Sequence, residues 1–242
     1  MYDAAFVFVL FMTFSILGWF FECISCSIWY GKIVHDRGFL IGPYCPIYGL
    51  GCLYAYGFLS RFEDNGILLF VMAIIGTSAL EYLTSVLMEK VYKARWWDYT
   101  DQPLNLNGRI CLKNSIMFGT VGLAFTYYVK PFYDKVIDKI PNDILIIIAL
   151  ILFILFFIDC LVSLTIMSKL KKKVFKIKYD STSDIDKEVK KALSEHEFYS
   201  KKLFKAFPGI KLPSGDEIIK AITDTLNTFD LNKKIKKNKK DN

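Results

Sequence analysis

An uninterrupted apolar run in the second half of the chain constrains the fold more than any other feature. All fifteen residues of Ile144–Ile158 are aliphatic or aromatic. A helix on the surface of a soluble domain keeps a polar face toward water, and a buried helix of such a domain rarely stays apolar on every side for this length. The run therefore predicts a transmembrane helix.

Four more stretches of the sequence share this character. The five apolar stretches are Ala4–Tyr30, Phe39–Ser60, Gly66–Met88, Cys111–Val129 and Ile144–Met167. Each approaches the roughly 20 residues that a helix needs to cross about 30 Å of hydrocarbon. The sequence therefore predicts an all-α, polytopic transmembrane helical bundle with about five spans. The first stretch has neither a basic region before it nor a small-residue cleavage site after it, so it does not read as a cleaved signal peptide.

The second stretch differs from the others because proline and glycine interrupt it. The segment Gly38–Gly51 contains two prolines and four glycines. Proline removes a backbone donor and glycine weakens helix propensity, so we expect a broken helix here. One interpretation is a discontinuous helix or re-entrant loop that lines a site. The other is a Pro-kinked helix whose glycines permit close packing. The backbone candidates for such a site are Gly42, Pro43, Pro46, Tyr48 and Gly49.

Charge divides the chain into two parts. Residues 1–168 contain 11 Lys+Arg and 13 Asp+Glu, whereas residues 169–242 contain 20 and 11. We therefore predict a transmembrane helical domain over 1–168 and a basic, helical cytoplasmic tail over 169–242. The tail contains a capping-box pattern at Ser214–Glu217, ahead of apolar residues at helical spacing. Membrane lipids are the expected partner of the tail, because it directly follows an apolar segment. No nucleic-acid-binding pattern is present.

The basic residues of the connections predict an orientation. The connections after the first and third stretches carry Lys32, Arg37, Lys90, Lys93, Arg95 and Arg109, and the tail opens with Lys169 and Lys171–Lys173. The connections after the second and fourth stretches carry only Arg61, Lys130, Lys135 and Lys139. By the positive-inside rule, the N-terminus is outside and the C-terminus is cytoplasmic. The expected location is the bacterial cytoplasmic membrane, as a multi-pass protein.

Ionisable residues within membrane spans are costly, so they are functional candidates by default. At 1.5 Å per helical residue, all four acids of the spans fall in the cytoplasmic half. These acids are Glu22, Glu81, Glu89 and Asp159, and the arginines that approach them from the connections are Arg37, Arg95 and Arg109. The acids and arginines therefore occupy one depth of the bundle.

One helix face carries three of the polar candidates. Glu81, Ser85 and Glu89 recur every four residues, so they form a polar stripe on the third helix. Such a stripe lines a polar chamber that opens to the cytoplasm, or it forms structural Glu–Arg pairs that orient the helices. The spacing is compatible with both. The candidate site residues with side-chain roles are Glu22, Arg37, Glu81, Ser85, Glu89, Asp98, Asn105, Arg109 and Asp159.

The connection Arg95–Tyr99 is aromatic, charged and close to the predicted membrane surface. Trp96, Trp97 and Tyr99 are typical of an interfacial aromatic belt. The alternative is a loop that folds over the chamber, with Asp98 and Arg109 paired across it. We favour the belt for Trp96 and the loop for Asp98.

Six cysteines lie within or at the edges of apolar stretches, where cysteine behaves as a small hydrophobic residue. Cys23 and Cys26 have C-x-x-C spacing, but no second pair at metal-ligand spacing accompanies them. We therefore expect no metal site and no cofactor.

Ordered motifs in the first half of the chain resemble those of a bacterial family of ABC transporter permeases, ABC-transporter type IV. The motifs are Gly18-Trp19 with Glu22, Arg37-Gly38-Phe39, Gly42-Pro43, Pro46–Gly49, Glu81-Tyr82 with Ser85, Trp96–Tyr99, Asn105 and Gly108-Arg109. The resemblance runs from about Phe14 to Gly119, and Lys205–Gly209 is similar to a tail motif of the family. It implies a permease component that acts with a separate ATP-binding subunit.

The residues themselves leave three functions open. No G-x-x-x-x-G-K-[ST] motif occurs in the sequence, so a transport function needs nucleotide hydrolysis by another chain. Five spans are few for a complete path, so a permease of this size is expected to form a homo-oligomer. An intramembrane enzyme that acts on lipid headgroups is the first alternative, and it would use Glu22 or Glu81 as acid or base. A membrane scaffold that recruits cytoplasmic partners is the second. No recognisable catalytic set accompanies the acids, so we do not expect an enzyme.

Overall fold

The computed structural model describes residues 2–31, 33–35, 37–92, 95 and 97–180, and most of these residues are helical. The helices are α1 (Tyr2–Tyr30), α2 (Pro46–Gly57), α3 (Gly66–Tyr92), α4 (Leu112–Ala124), α5 (Lys130–Ile137) and α6 (Asn142–Asp180). A 3₁₀ turn covers Leu59–Phe62 and a π-helical turn covers Phe125–Val129. The short strands β1 (Asn105–Leu106) and β2 (Ile110–Cys111) pair in antiparallel fashion. The predicted all-α class is confirmed.

Within the described residues, three helices are long and apolar enough to cross a membrane. Their apolar parts are Tyr2–Ile28, Gly66–Val91 and Asn142–Thr165, which correspond to the first, third and fifth predicted stretches. The fourth stretch becomes a continuous helical segment from α4 through the π-helical turn to α5. Pro131 explains the π-helical turn, because proline lacks the N–H of a regular helix and its ring crowds the preceding turn.

The second stretch contains the predicted broken helix. Residues 38–45 are not helical, and α2 begins only at Pro46, where the missing proline N–H removes no helical hydrogen bond. With 12 residues, α2 extends about 18 Å, which is less than the thickness of the hydrocarbon core. A single helix over Phe39–Ser60 is therefore not formed.

The broken segment nevertheless runs along the length of α1. At one end, the Cys45 N–H donates to the Ser15 carbonyl over 2.9 Å. Toward the other end, the rings of Phe6 and Tyr56 lie 5.4 Å apart. The segment therefore returns to the side on which α1 begins, which supports a traversing broken helix and not a re-entrant loop.

Glycines allow α2 to lie directly against α1. A Cβ atom on Gly49 would overlap the Phe11 carbonyl and the Ser15 hydroxyl, and one on Gly18 would overlap the Tyr48 ring. The structure therefore combines the two interpretations of this segment, because it is discontinuous and its glycines permit close packing.

Contacts between helices define two ends of the bundle. Phe8 and Phe11 of α1 contact Phe153 and Phe156 of α6 at ring distances of 5.5 and 5.6 Å, so these helices run in the same direction. Helix α4 runs opposite to α3, because Ser115 bonds to Ser78 while Gly122 packs on Ala73. Helix α1 also runs opposite to the segment α4–α5, because Phe14 contacts Phe125 and Phe6 contacts Tyr133. Helices α1 and α3 therefore run in the same direction, and the described residues of the connections 31–45 and 95–111 lie at the same end, which we call the polar end.

Helix α6 continues without interruption across residue 168 to Asp180. The boundary between 168 and 169 thus marks a change of composition within a helix, and the division into two domains stays a prediction. The predicted tail helices, the capping box Ser214–Glu217 and the motif Lys205–Gly209 lie outside the described residues, as does Trp96.

Candidate functional site

The polar end brings together the side chains that the sequence singled out. Helices α1, α3 and α6 contribute acids to it, and the two connections at this end contribute arginines, tyrosines and backbone N–H groups. Three clusters form, and each joins a connection to a helix.

The first cluster joins α1 to the broken segment. The Arg37 guanidinium lies 2.5 Å from the Glu22 carboxylate, and both side chains are mostly buried. The Tyr48 hydroxyl donates to the other Glu22 oxygen over 3.3 Å, and the Cys45 thiol lies 3.7 Å from that oxygen. The Trp19 indole N–H donates to the Arg37 carbonyl over 3.0 Å. Glu22 is therefore the residue around which this cluster is built.

The second cluster holds the non-helical turn of the broken segment to α6. Asp159 accepts hydrogen bonds from the N–H groups of Ile41 over 3.1 Å and Gly42 over 2.7 Å. It also accepts from the hydroxyls of Tyr44 and Ser163. Backbone donors freed by the break thus find an acceptor, as buried backbone requires. Asp159 therefore positions the break, a role that its predicted depth in the fifth stretch did not indicate.

The third cluster joins α3 to the hairpin that we define as residues 97–111. The Arg109 guanidinium lies 2.5 Å from Glu89, donates to the Ser85 hydroxyl over 3.1 Å and covers the Tyr82 ring at 5.7 Å. Arg95 lies 3.7 Å from Glu89. The predicted polar stripe on α3 therefore faces the hairpin.

Glu81 belongs to the same stripe but has a different environment. Its side chain is 6% exposed, and one carboxylate oxygen accepts from the Tyr99 hydroxyl over 3.1 Å. Burial raises the pKa of the Tyr99 phenol far above its usual value, and the nearby Glu81 carboxylate raises it further. Tyr99 therefore remains a hydrogen-bond donor to Glu81 at physiological pH.

The hairpin is shaped by its own polar residues. Asp98 lies 3.5 Å from Arg95 and accepts from the Thr100 N–H over 3.0 Å. The Asn105 side chain donates to the carbonyls of Thr100 and Gln102 and accepts from the Gly108 N–H. Asn105 and Asp98 therefore shape the turn of the hairpin.

Gly108 is required in the hairpin for two reasons. Its φ of +66° lies in the left-handed region, and a Cβ atom would lie 2.5 Å from a carboxylate oxygen of Asp98. The Trp97 indole N–H donates to the Arg109 carbonyl over 3.0 Å, so Trp97 braces the hairpin in addition to any interfacial role.

Tyr48 in the first cluster donates to Glu22, and Tyr99 in the third donates to Glu81. The sequence motifs include Trp19 and Tyr82 but do not indicate their contacts. Their roles depend on hydrogen bonds and ring contacts between segments distant in the chain, and no sequence spacing signals such contacts.

Comparison with known proteins supports the resemblance found in the motifs. No curated protein and no solved structure matches the chain. The model of one protein family, described as "Putative ABC-transporter type IV", matches residues 9–164. The match includes the whole of the bundle's described helices from α2 to α5 and extends beyond the motif region Phe14–Gly119 on both sides. Together with the three apolar helices, it identifies a membrane protein of the ABC-transporter type. The chain belongs to the ABC-transporter type IV family.

Proposed function

We propose that this chain is the membrane-embedded permease component of an ABC-type transporter. It crosses the bacterial cytoplasmic membrane five times, with its N-terminus outside and its polar end facing the cytoplasm. A separate ATP-binding subunit supplies nucleotide hydrolysis, since the sequence contains no phosphate-binding loop of the G-x-x-x-x-G-K-[ST] type.

The distribution of basic residues supports this orientation. The basic residues at the polar end are Arg37, Lys90, Arg95 and Arg109. Those at the opposite end are Arg61, Lys130, Lys135 and Lys139. Lysines and arginines concentrate on the cytoplasmic side of membrane proteins. The parallel courses of α1, α3 and α6 are compatible with the proposed five traverses, and an odd number of traverses puts the N-terminus and the C-terminus on opposite sides of the membrane.

The attachment of the hairpin to α3 is the observation that carries the proposal. Arg109 contacts Glu89 and Ser85, Tyr99 contacts Glu81, and the Asn107 side chain donates to the Tyr82 hydroxyl over 2.9 Å. A partner that binds the hairpin and moves it would therefore displace α3. This is the mechanical connection that a permease needs between a cytoplasmic ATP-binding subunit and its spans.

The same contacts weigh against an enzyme that acts on lipid headgroups. An enzyme of that kind would need cationic groups ready to receive a phosphate. Arg37, Arg95 and Arg109 each lie within ion-pair distance of a carboxylate at the polar end. Their positive charges therefore already interact with carboxylates of the protein. The scaffold alternative rests on the basic tail, which lies outside the described residues.

The number of spans implies assembly. Five traverses, one of them a short helix with a non-helical turn, are few for a complete translocation path. We therefore propose that the permease works as a homo-oligomer.

Purification of the full chain from its native membrane tests the proposal. An ATP-binding protein should co-purify in a fixed ratio, and its ATPase activity should change when the two proteins are reconstituted together in lipid. A matched purification of a chain with Glu89→Gln and Arg109→Gln should yield less of the ATP-binding protein, because the hairpin loses its ion pair to α3. Recovery of the chain after crosslinking without any ATP-binding protein would contradict the proposal.

A further inference from the structure

One oxygen of Glu81 has no partner among the described residues. The side chain is 94% buried, Tyr99 donates to Oε1, and Oε2 neither receives a hydrogen bond nor contacts solvent. Other polar residues of α3 have protein partners: Ser78 bonds to Ser115 over 2.7 Å, Ser85 accepts from Arg109, and Glu89 lies 2.5 Å from the Arg109 guanidinium. Because buried polar groups are almost always hydrogen-bonded, an unpartnered carboxylate oxygen indicates that a donor is missing.

No cationic side chain compensates Glu81 in the described part of the chain. Two arginines of the polar end form ion pairs with other carboxylates, Arg37 with Glu22 and Arg109 with Glu89. A buried carboxylate without a counter-charge is strongly unfavourable. A ligand that brings both a positive charge and an N–H donor would remove this cost.

The surrounding donors and acceptors select the class of ligand. Within the described ranges, no group of three or more His, Cys, Asp or Glu side chains is arranged to hold a metal ion. Tyr99 already donates to Oε1 of Glu81, so a ligand at this site has to donate to Oε2. An ammonium group suits this oxygen, because it has several N–H donors and carries the positive charge that the buried carboxylate lacks.

We infer that Glu81, with Tyr99, forms a binding site for the protonated amine of a ligand. The amine belongs to a small soluble molecule or to the headgroup of an amine-bearing lipid, and the chemistry at Glu81 is the same for both. The inference deepens the proposed function, because it assigns a substrate class to the polar end. Since Tyr99 is part of the hairpin, movement of the hairpin away from α3 gives the ligand access to the buried oxygen.

Direct binding to the purified full chain tests the site without an ATP-binding subunit, so failure here would leave the proposed permease function standing. Ethanolamine is the soluble probe, and isothermal titration in detergent measures its affinity. We expect saturable binding that Glu81→Gln weakens at least tenfold. Glu63→Gln, the same charge change on the connection at the opposite end, should leave it unchanged. Equal affinity of the wild type and Glu81→Gln, or equal heat from sodium chloride, would overturn the inference.

The lipid source is tested in parallel by native mass spectrometry. Phosphatidylethanolamine should remain bound to the wild type and be lost from Glu81→Gln, whereas phosphatidylcholine, which has no N–H donor, should not be retained. Retention of only one of the two probes, ethanolamine or phosphatidylethanolamine, identifies the source. If neither probe binds the wild type, the inference is wrong.

A measurement on the wild type covers the case in which Glu81→Gln does not accumulate. An apolar carbodiimide modifies buried carboxyls, and mass spectrometry quantifies the product at Glu81. The amine probe that binds should reduce this modification several-fold and leave that of Glu63 unchanged. Modification of Glu81 that is the same with and without saturating probe would contradict the site.

Discussion

Asp159 gives the sharpest prediction about how the broken segment is held. Its two carboxylate oxygens accept four hydrogen bonds: Oδ1 accepts from the Ile41 N–H and the Ser163 hydroxyl, and Oδ2 accepts from the Gly42 N–H and the Tyr44 hydroxyl. In Asp159→Asn, one oxygen becomes an NH₂ group that is itself a donor. Either orientation of the amide therefore sets the NH₂ group against one backbone N–H, whereas the hydroxyl on the same side can rotate and accept.

The expected loss follows from the number of bonds removed. A hydrogen bond to a charged group contributes about 1.5–3 kcal/mol, so the loss of one bond to a backbone N–H lowers the free energy of unfolding by about 1.5–3 kcal/mol. Tyr44→Phe and Ser163→Ala each remove one donor to the carboxylate and should each cost a similar amount. These residues share one acceptor, so the effects need not add.

Unfolding of the purified protein in mixed micelles with increasing sodium dodecyl sulfate measures these differences. Asp143→Asn is the matched control, because it makes the same change on the same helix in the exposed first turn of α6. It removes only a favourable interaction with the helix dipole, which is worth less than about 1 kcal/mol. If Asp159→Asn unfolds within 1 kcal/mol of the wild type, as this control should, the proposed clamp is wrong.

Three further predictions concern the hairpin. Gly108→Ala places a side chain at φ +66° against Asp98, which costs at least about 1–2 kcal/mol locally. Limited proteolysis should therefore cut the hairpin of this variant several-fold faster. An unchanged rate would show that the hairpin does not require glycine at this position. Glu89 and Arg109 should show a coupling energy of about 0.5–1 kcal/mol in a double-mutant cycle. Salt should reduce this coupling energy, because the Glu89 side chain is 36% exposed. Zero coupling at low salt would show that the ion pair does not form in solution. Tyr99→Phe removes the hydroxyl that donates to Glu81 and should lower the free energy of unfolding by about 1–3 kcal/mol. A variant as stable as the wild type would contradict that hydrogen bond.

Much of the fold follows from the sequence, because the hydrocarbon core of a membrane sets the length and the hydropathy of a helix that spans it. The apolar run Ile144–Ile158 and the two other long apolar stretches predicted the three long helices, since length and hydropathy alone decide whether a helix suits a bilayer. The break in the second stretch was also predictable, because Pro43, Pro46 and the glycines act locally on the backbone. What the sequence left open was the course of this segment, which depends on its contacts with α1.

The polar end shows the corresponding limit for the site. The sequence suggested that Glu22, Glu81 and Asp159 lie at one end of the bundle, because the depth of a residue along a helix follows from its position in the stretch at 1.5 Å per residue. The partners were not predictable: Arg37 pairs with Glu22, Arg109 pairs with Glu89, and Glu81 receives Tyr99 in place of an arginine. These choices depend on the rotation of each helix and on the folding of the hairpin, and neither leaves a periodic signal in the sequence.

Thiol labelling tests whether the chain traverses the membrane with its polar end in the cytoplasm. Asp101 in the hairpin and Asp138 after α5 are both exposed and lie at opposite ends of the bundle. Each is replaced by cysteine in a chain without the six native cysteines, and whole cells are treated with a membrane-impermeant thiol reagent. We predict that Asp138→Cys is labelled in intact cells and that Asp101→Cys is labelled only after permeabilisation. Reversed labelling would place the polar end outside, and labelling of both sites from the same side would contradict the five-traverse bundle.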